Sequence, residues 1–303
     1  MSHRCQSILV AQNGRRLAEV ASVSADLQDG HIIPLHSHPE NQLLFASEGV
    51  MTVTTKQGVW VVPTLRAVWI PAETPHSVAI SGRVLMRTLY FLPKLCRSLP
   101  RRCFVMNVSL LLKQLILHAC AFKRLHKNIP SEKRIVEIIL DQLKAVESIP
   151  LQLPHPSDSR AQRVVKALVA SPGDRETLGE LCKDCGASKR TIQRLFLEET
   201  RMTFGKWRQQ LRLLHAMQRL ASGEKVTAAA LEAGYNSTSA FISMFRKQLG
   251  TTPRRYLEST VGEQARGSKI AVGESRGAEA SGSPISKSKK KGSHFTGRML
   301  PER

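Results

Sequence analysis

Two sets of side chains between residues 189 and 247 have the types and spacing needed to read nucleic acid: Lys189, Arg190, Gln193 and Arg194, then Thr238, Ser239, Ser243, Arg246 and Lys247. Guanidinium and amide groups form paired hydrogen bonds with base edges in the major groove, and ammonium and hydroxyl groups bond phosphate oxygens. In each set the opposite helical face is apolar, with Ile192, Leu195 and Phe196 in the first and Phe241, Met244 and Phe245 in the second. Arg190, Gln193, Arg194, Thr238, Ser239 and Ser243 are assigned to bases. Lys189, Arg246, Lys247, Arg254 and Arg255 are assigned to phosphates. The alternative is an ordinary helical bundle with a solvated polar face.

Both sets sit inside one pattern that occurs twice at an offset of 49 residues, from Thr177 to Thr203 and from Val226 to Thr252. Each copy reads as a short helix, a tight turn at Cys185-Gly186-Ala187 or Gly234-Tyr235-Asn236, and a serine that caps a second helix, over Ser188 to Glu199 and Ser237 to Leu249. Between the copies, Phe204, Trp207, Leu211, Leu214 and Leu220 form one stripe of a connecting helix that stops at Gly223. The stretch from residue 160 to 260 carries 18 Lys and Arg against 9 Asp and Glu, a formal charge of +9 that favours a polyanionic partner. Cys182 and Cys185 are spaced like half of a zinc or redox site, but no second pair follows at the usual spacing, so small core residues are the stronger reading.

The stretch Ala233 to Leu257, with its Gly-aromatic turn, serine-rich helix start, Phe241/Phe245 pair, Gly250, Pro253 and Tyr256, resembles the AraC/XylS family of transcriptional regulators. The resemblance implies an all-α DNA-binding domain with two helix-turn-helix motifs whose recognition helices enter successive major grooves, about 34 Å apart along the duplex. It also makes dimerisation plausible; promoter DNA and an effector are the expected partners, and RNA polymerase could be a further one.

The first hundred residues read as short strands, at Asn41 to Ala46, Val50 to Thr54, Val59 to Val62, Ala67 to Ile70 and Val84 to Phe91, separated by Gly, Pro and Ser turns. Within them Gly30 is followed by His36-Ser37-His38, Gln42 and Gly49 at a spacing that resembles the first cupin motif, and Pro71 to His76 resembles the second. The resemblance implies a β-barrel in which His36, His38, Gln42 and His76 line an effector site. His36, His38 and His76 could then hold a divalent transition metal, as neutral imidazoles suit Zn, Fe, Ni or Cu. Gln42 stands where cupins carry an anionic Glu, and Glu73 where they carry Gly, so the same histidines could instead line an organic-effector pocket or close the barrel end. Glu40 and Glu48 lie nearby in sequence.

The expected architecture is therefore α+β and multidomain. Residues 1–100 form a cupin-like effector-sensing domain, 101–149 a helical region for dimerisation or packing, 150–159 a linker, 160–260 the double helix-turn-helix domain, and 261–303 a disordered basic tail. The helical region reads as Met106 to Leu125 and Glu132 to Val146, broken at Pro130. At 303 residues, 42% hydrophobic and a formal net charge of +21, the chain has room for two cores and is drawn to polyanions. No run approaches the roughly 20 apolar residues of a membrane span, and the start lacks a signal-like apolar run, so a cytoplasmic protein without a membrane partner is expected. The reading is a homodimeric, sequence-specific regulator of transcription controlled by a small-molecule or metal effector, and not an enzyme. The alternative is a metal-dependent cupin enzyme fused to a DNA-binding domain; no nucleophile–base constellation supports it.

Overall fold

A computed structural model describes residues 3, 4, 7, 9, 18–146, 148, 149 and 151–256. Along the chain come strands β1 (His3–Arg4), β2 (Val20–Leu27), β3 (Ile32–Ser37), β4 (Asn41–Thr55), β5 (Gly58–Pro63), β6 (Arg66–Ile70), β7 (His76–Phe91) and β8 (Phe104–Asn107). Helix α1 (Leu110–Ala121), strand β9 (Arg124–Leu125), helix α2 (Pro130–Ala145) and strands β10 (Ser148–Ile149) and β11 (Gln152–Pro154) complete the N-terminal part. Then come helices α3 (Ser159–Ala170), α4 (Leu178–Leu181), α5 (Lys189–Thr200), α6 (Phe204–Ala221), α7 (Val226–Glu232) and α8 (Thr238–Leu249).

The sheet is organised by β4 and β7, its two longest strands, which pair antiparallel over most of their length. A register shift around Glu48 bends this pair, so each strand serves two neighbours. The first half of β4 pairs with β6 and its second half with β5, while the two halves of β7 pair with β3 and β2. The runs Asn41 to Ala46 and Val50 to Thr54 are thus one bent strand, and Val84 to Phe91 is the second half of β7. Strands β2 and β3 escape a search for apolar alternation, because they are short of buried residues and β3 contains Pro34.

Side-chain alternation gives the sheet two faces. Leu43, Phe45, Trp69, Leu89 and Phe91 pack with Leu112, Ile116, Ile139 and Leu143 of α1 and α2. Leu44, Ala46, Val53, Ile70, Val78 and Ile80 point the other way, into a core that continues to the C-terminal helices.

The expected helix from Met106 to Leu125 is shorter at both ends. Phe104–Asn107 adds to β6, and Ser109 starts the helix by accepting a hydrogen bond from the Leu112 N–H at 3.1 Å. Pro130 opens α2 rather than breaking the chain before it, since an N–H in the first turn has no intrahelical acceptor and its absence there costs nothing. The expected linker is also partly structured: Leu153 pairs with Val59, and Leu151 and Leu153 are buried. The tail 261–303 lies outside the described residues.

The helical part joins the sheet through α6. Trp207, fully buried, donates its indole N–H to the Pro154 carbonyl at 2.8 Å. Gln218 donates from Nε2 to Thr52 Oγ1 of β4 at 2.7 Å. No described helix is long and apolar enough to cross a membrane.

Candidate functional site

Each helix-turn-helix is assembled by local rules. Thr177 and Glu180 form a reciprocal capping box at α4. Ser188 Oγ accepts from the Thr191 N–H at 3.2 Å to start α5, and Ser237 Oγ accepts from the Ala240 N–H at 3.2 Å to start α8. The first turn is tied to α3 by Arg163, which donates to the Cys185 carbonyl at 2.8 Å. Ile192, Leu195 and Phe196 bury one face of α5, and Phe241, Met244 and Phe245 bury one face of α8. In the first unit Phe196 meets Trp207 at 5.3 Å between ring centroids, and in the second Phe241 meets Phe245 at 5.6 Å and Tyr235 at 5.3 Å. These ring contacts, edge-on for Phe196–Trp207 and Phe241–Phe245 and tilted for Tyr235–Phe241, fix the helices against their supports.

With those faces buried, Lys189, Arg190, Gln193 and Arg194 are exposed on α5, and Ser239, Ser243, Arg246 and Lys247 on α8; Thr238 is half-buried at the helix start. An open groove of about 960 Å³ runs between α5 and the start of α6, lined among others by Ser188, Lys189, Arg190, Gln193, Arg194 and Thr203. Helix α6 has 18 residues, hence a length of about 27 Å. That length is of the order of one duplex turn.

Cys182 and Cys185 behave as packing residues. Cys185 is buried with its thiol donating to the Ala187 carbonyl at 3.5 Å, and Cys182 closes α4. Burial and the neighbouring Cys185 push the Cys182 thiol up to about 11. Neither belongs to the His/Cys/Asp/Glu cluster found among the described residues.

That cluster is His36, His38 and His76, each offering one ligand atom within 4.8 Å of the others. Strand pairing creates it, because His36 at the end of β3 lies directly across from His76 at the start of β7. Their ring centroids are 4.3 Å apart, and His38 lies 5.2 Å from His76. Each Nδ1 is held by a main-chain carbonyl two residues away: His36 to Pro34 at 2.8 Å, His38 to Glu40 at 2.9 Å, and His76 to Thr74 at 2.8 Å. A carbonyl only accepts, so each Nδ1 carries a proton, and in a neutral ring Nε2 is left as the acceptor. Burial lowers the pKa of His38, and it lowers that of His76 to about 4, which keeps both rings neutral at pH 7.

Gln42 lies at the same place, with Oε1 3.1 Å from His38 Nε2, and its Nε2 faces Thr88 Oγ1 at 3.4 Å and the Tyr90 hydroxyl at 3.3 Å. Tyr90 also stands edge-on to His38 at 5.0 Å. Thr88 and Tyr90 escaped the sequence reading. Alternation along Val84 to Phe91 puts them on one face, but only the register Gln42↔Tyr90 brings that face to the histidines. Glu40 is buried with Oε2 4.0 Å from His38 Nδ1, behind the cluster, whereas Glu48 sits opposite Leu85 at the far end of the strand half. Glu73 takes φ +61°, a left-handed conformation that costs a side-chain-bearing residue about 1–2 kcal/mol and explains why glycine is usual at that point of the motif.

Comparison with known proteins adds to this geometry. Residues 20–145 match the family described as the AraC-like ligand binding domain, and residues 181–259 match a helix-turn-helix domain family. The HTH-type transcriptional regulator NimR of Escherichia coli K12 is 33% identical over 224 residues, spanning 74% of this chain and 82% of NimR. RipA of Corynebacterium glutamicum, also an HTH-type transcriptional regulator, is 33% identical over 109 residues, 36% of this chain and 33% of RipA. Among solved structures, ToxT from Vibrio cholerae O395 aligns over 80% of this chain and 99% of its own, at 12% identity and a TM-score of 0.36.

Proposed function

The chain belongs to the AraC family of transcriptional regulators, with an N-terminal ligand-binding domain and a C-terminal helix-turn-helix DNA-binding domain, and from that premise we propose which residues read the promoter and which receive the effector. Helices α5 and α8 read two neighbouring major grooves. Arg190, Gln193 and Arg194, with Thr238, Ser239 and Ser243, contact bases, while Lys189, Arg246 and Lys247 hold phosphates. The pocket formed by His36, His38, Gln42 and His76 receives the effector.

The observation that carries this reading is the continuous path from pocket to reading heads. Strands β4 and β7 bear Gln42 and His76, and the same two strands meet α6 at Thr52 and Gly82. Helix α6 joins both helix-turn-helix units, so a ligand that changes the β4–β7 pair bears on the relation between α5 and α8. The protein works in the cytoplasm as a DNA-binding regulator without catalytic activity, acting on RNA polymerase. Leu110, Leu111 and Ile138 expose apolar surface on α1 and α2, which supports pairing of two copies there.

Footprinting of the full chain on the DNA upstream of its own gene tests the reading. Protection of two adjoining segments about 10 base pairs apart is expected. Affinity no greater than that for random duplex of the same length would defeat it.

A further inference from the structure

We propose that the pocket binds a single divalent first-row transition metal ion through Nε2 of His36, His38 and His76. This inference rests on reading the pocket as the effector site, and it names the ligand class. Three features of the pocket support a metal ion as its ligand.

The first is the tautomer of the rings. All three Nδ1 atoms are committed to main-chain carbonyls, which leaves Nε2 of each neutral ring as the nitrogen free to ligate, and the three rings each bring a ligand atom within 4.8 Å of the others. This is the arrangement of metal-bound histidine, whose second nitrogen is held by a carbonyl or carboxyl group that fixes ring and tautomer. The second is an unsatisfied atom. His76 is fully buried and its Nε2 has no hydrogen-bond partner among the described residues. A buried acceptor without a partner is destabilising, and a bound cation removes that cost.

The third feature is a fourth polar group at the cluster: the side-chain amide of Gln42 lies 3.1 Å from His38 Nε2, held on its other side by Thr88 Oγ1 and the Tyr90 hydroxyl. An ion held by the three imidazoles would have the Gln42 amide oxygen within reach, completing a three-nitrogen, one-oxygen set. No carboxylate or thiolate belongs to the cluster, which disfavours Ca²⁺ and Mg²⁺ and suits Zn²⁺, Ni²⁺ or Cu²⁺. Glu40 stands behind His38, its Oε2 4.0 Å from His38 Nδ1, so a carboxyl group backs the ring on its Nδ1 side. His36 is only half-buried, so the ion has a way in.

The test uses the untagged full-length protein, stripped with a chelator, dialysed and titrated with Zn²⁺ and with Ni²⁺, with bound metal measured by elemental analysis. The expected result is one equivalent per chain. A Co²⁺-loaded sample should show the visible absorption of a nitrogen-ligated ion. His36→Gln, at the half-exposed rim, should weaken binding at least tenfold with the unfolding midpoint of the metal-free protein unchanged, and His76→Gln should abolish it. Uptake far below one equivalent, or equal affinity in parent and both variants, overturns the proposal. One equivalent bound with promoter affinity unchanged by metal upholds the metal site and removes the effector reading. Promoter affinity that answers to an organic metabolite in a protein that takes up no metal does the reverse.

Discussion

Replacing Gly82 by alanine should loosen the sensor from the DNA-binding part, and the structure gives the size of the effect. Gly82 adopts φ +73°, and an added Cβ would stand 2.2 Å from the Ala221 carbonyl oxygen, at the end of α6. An ordinary carbon–oxygen approach is about 3.3 Å or more, so strand and helix must part by about 1 Å. The left-handed backbone costs alanine about 1–2 kcal/mol. Parting the surfaces also strains the Gln218–Thr52 hydrogen bond, worth about 1 kcal/mol. The sum is a loss of about 2–3 kcal/mol in urea unfolding.

Gly30 supplies the control. It has φ +77° and nothing within 4 Å of its added Cβ, so Gly30→Ala should show only the backbone cost, about 1–2 kcal/mol. The excess in Gly82→Ala measures the contact with α6, and hydrogen exchange should quicken along Leu214 to Ala221 in that variant alone. Equal losses in the two variants, with unchanged exchange in α6, would refute the idea that the β4–β7 pair grips the connecting helix.

Three further outcomes are expected. Arg194→Ala should weaken the specific site by about 1–3 kcal/mol and relax preference at one base position, while Lys247→Ala should weaken specific and random duplex alike and flatten the salt dependence; competition titrations at several salt concentrations separate the two, and equal losses on both duplexes for Arg194→Ala would reassign it to a phosphate. Phe245→Ala removes a fully buried ring of the second helix-turn-helix and should cost about 3–5 kcal/mol, erasing one of the two protected segments in a footprint before the other. Cys96 and Cys103 are buried, and burial pushes both thiols up to about 12, so neither should be alkylated by iodoacetamide at pH 8 in the folded protein, as peptide mapping would detect; prompt labelling of either would contradict their placement in the core.

The DNA-binding part was legible in the sequence because its determinants are local. Helical spacing, serine caps and a repeat at fixed offset need no distant partner, and they mark out α5 and α8 within a residue at each end. The histidines of the sheet domain were legible as a motif, and Gln42 with them. What the sequence alone left open was everything set by strand pairing. Register decides that His36 faces His76 and that Tyr90 faces Gln42, and one bulge near Glu48 makes a single strand of two apparent ones. Residues 104–107 and 152–154 have no periodicity long enough to mark them, and they become strands only because β6 and β5 offer open edges. The joining of Thr52 to Gln218, 166 positions apart, has no local signature at all. Helices declare themselves through contacts three and four residues away, whereas a sheet and an interdomain seam are made by residues far apart in the chain, and only the folded structure brings those together.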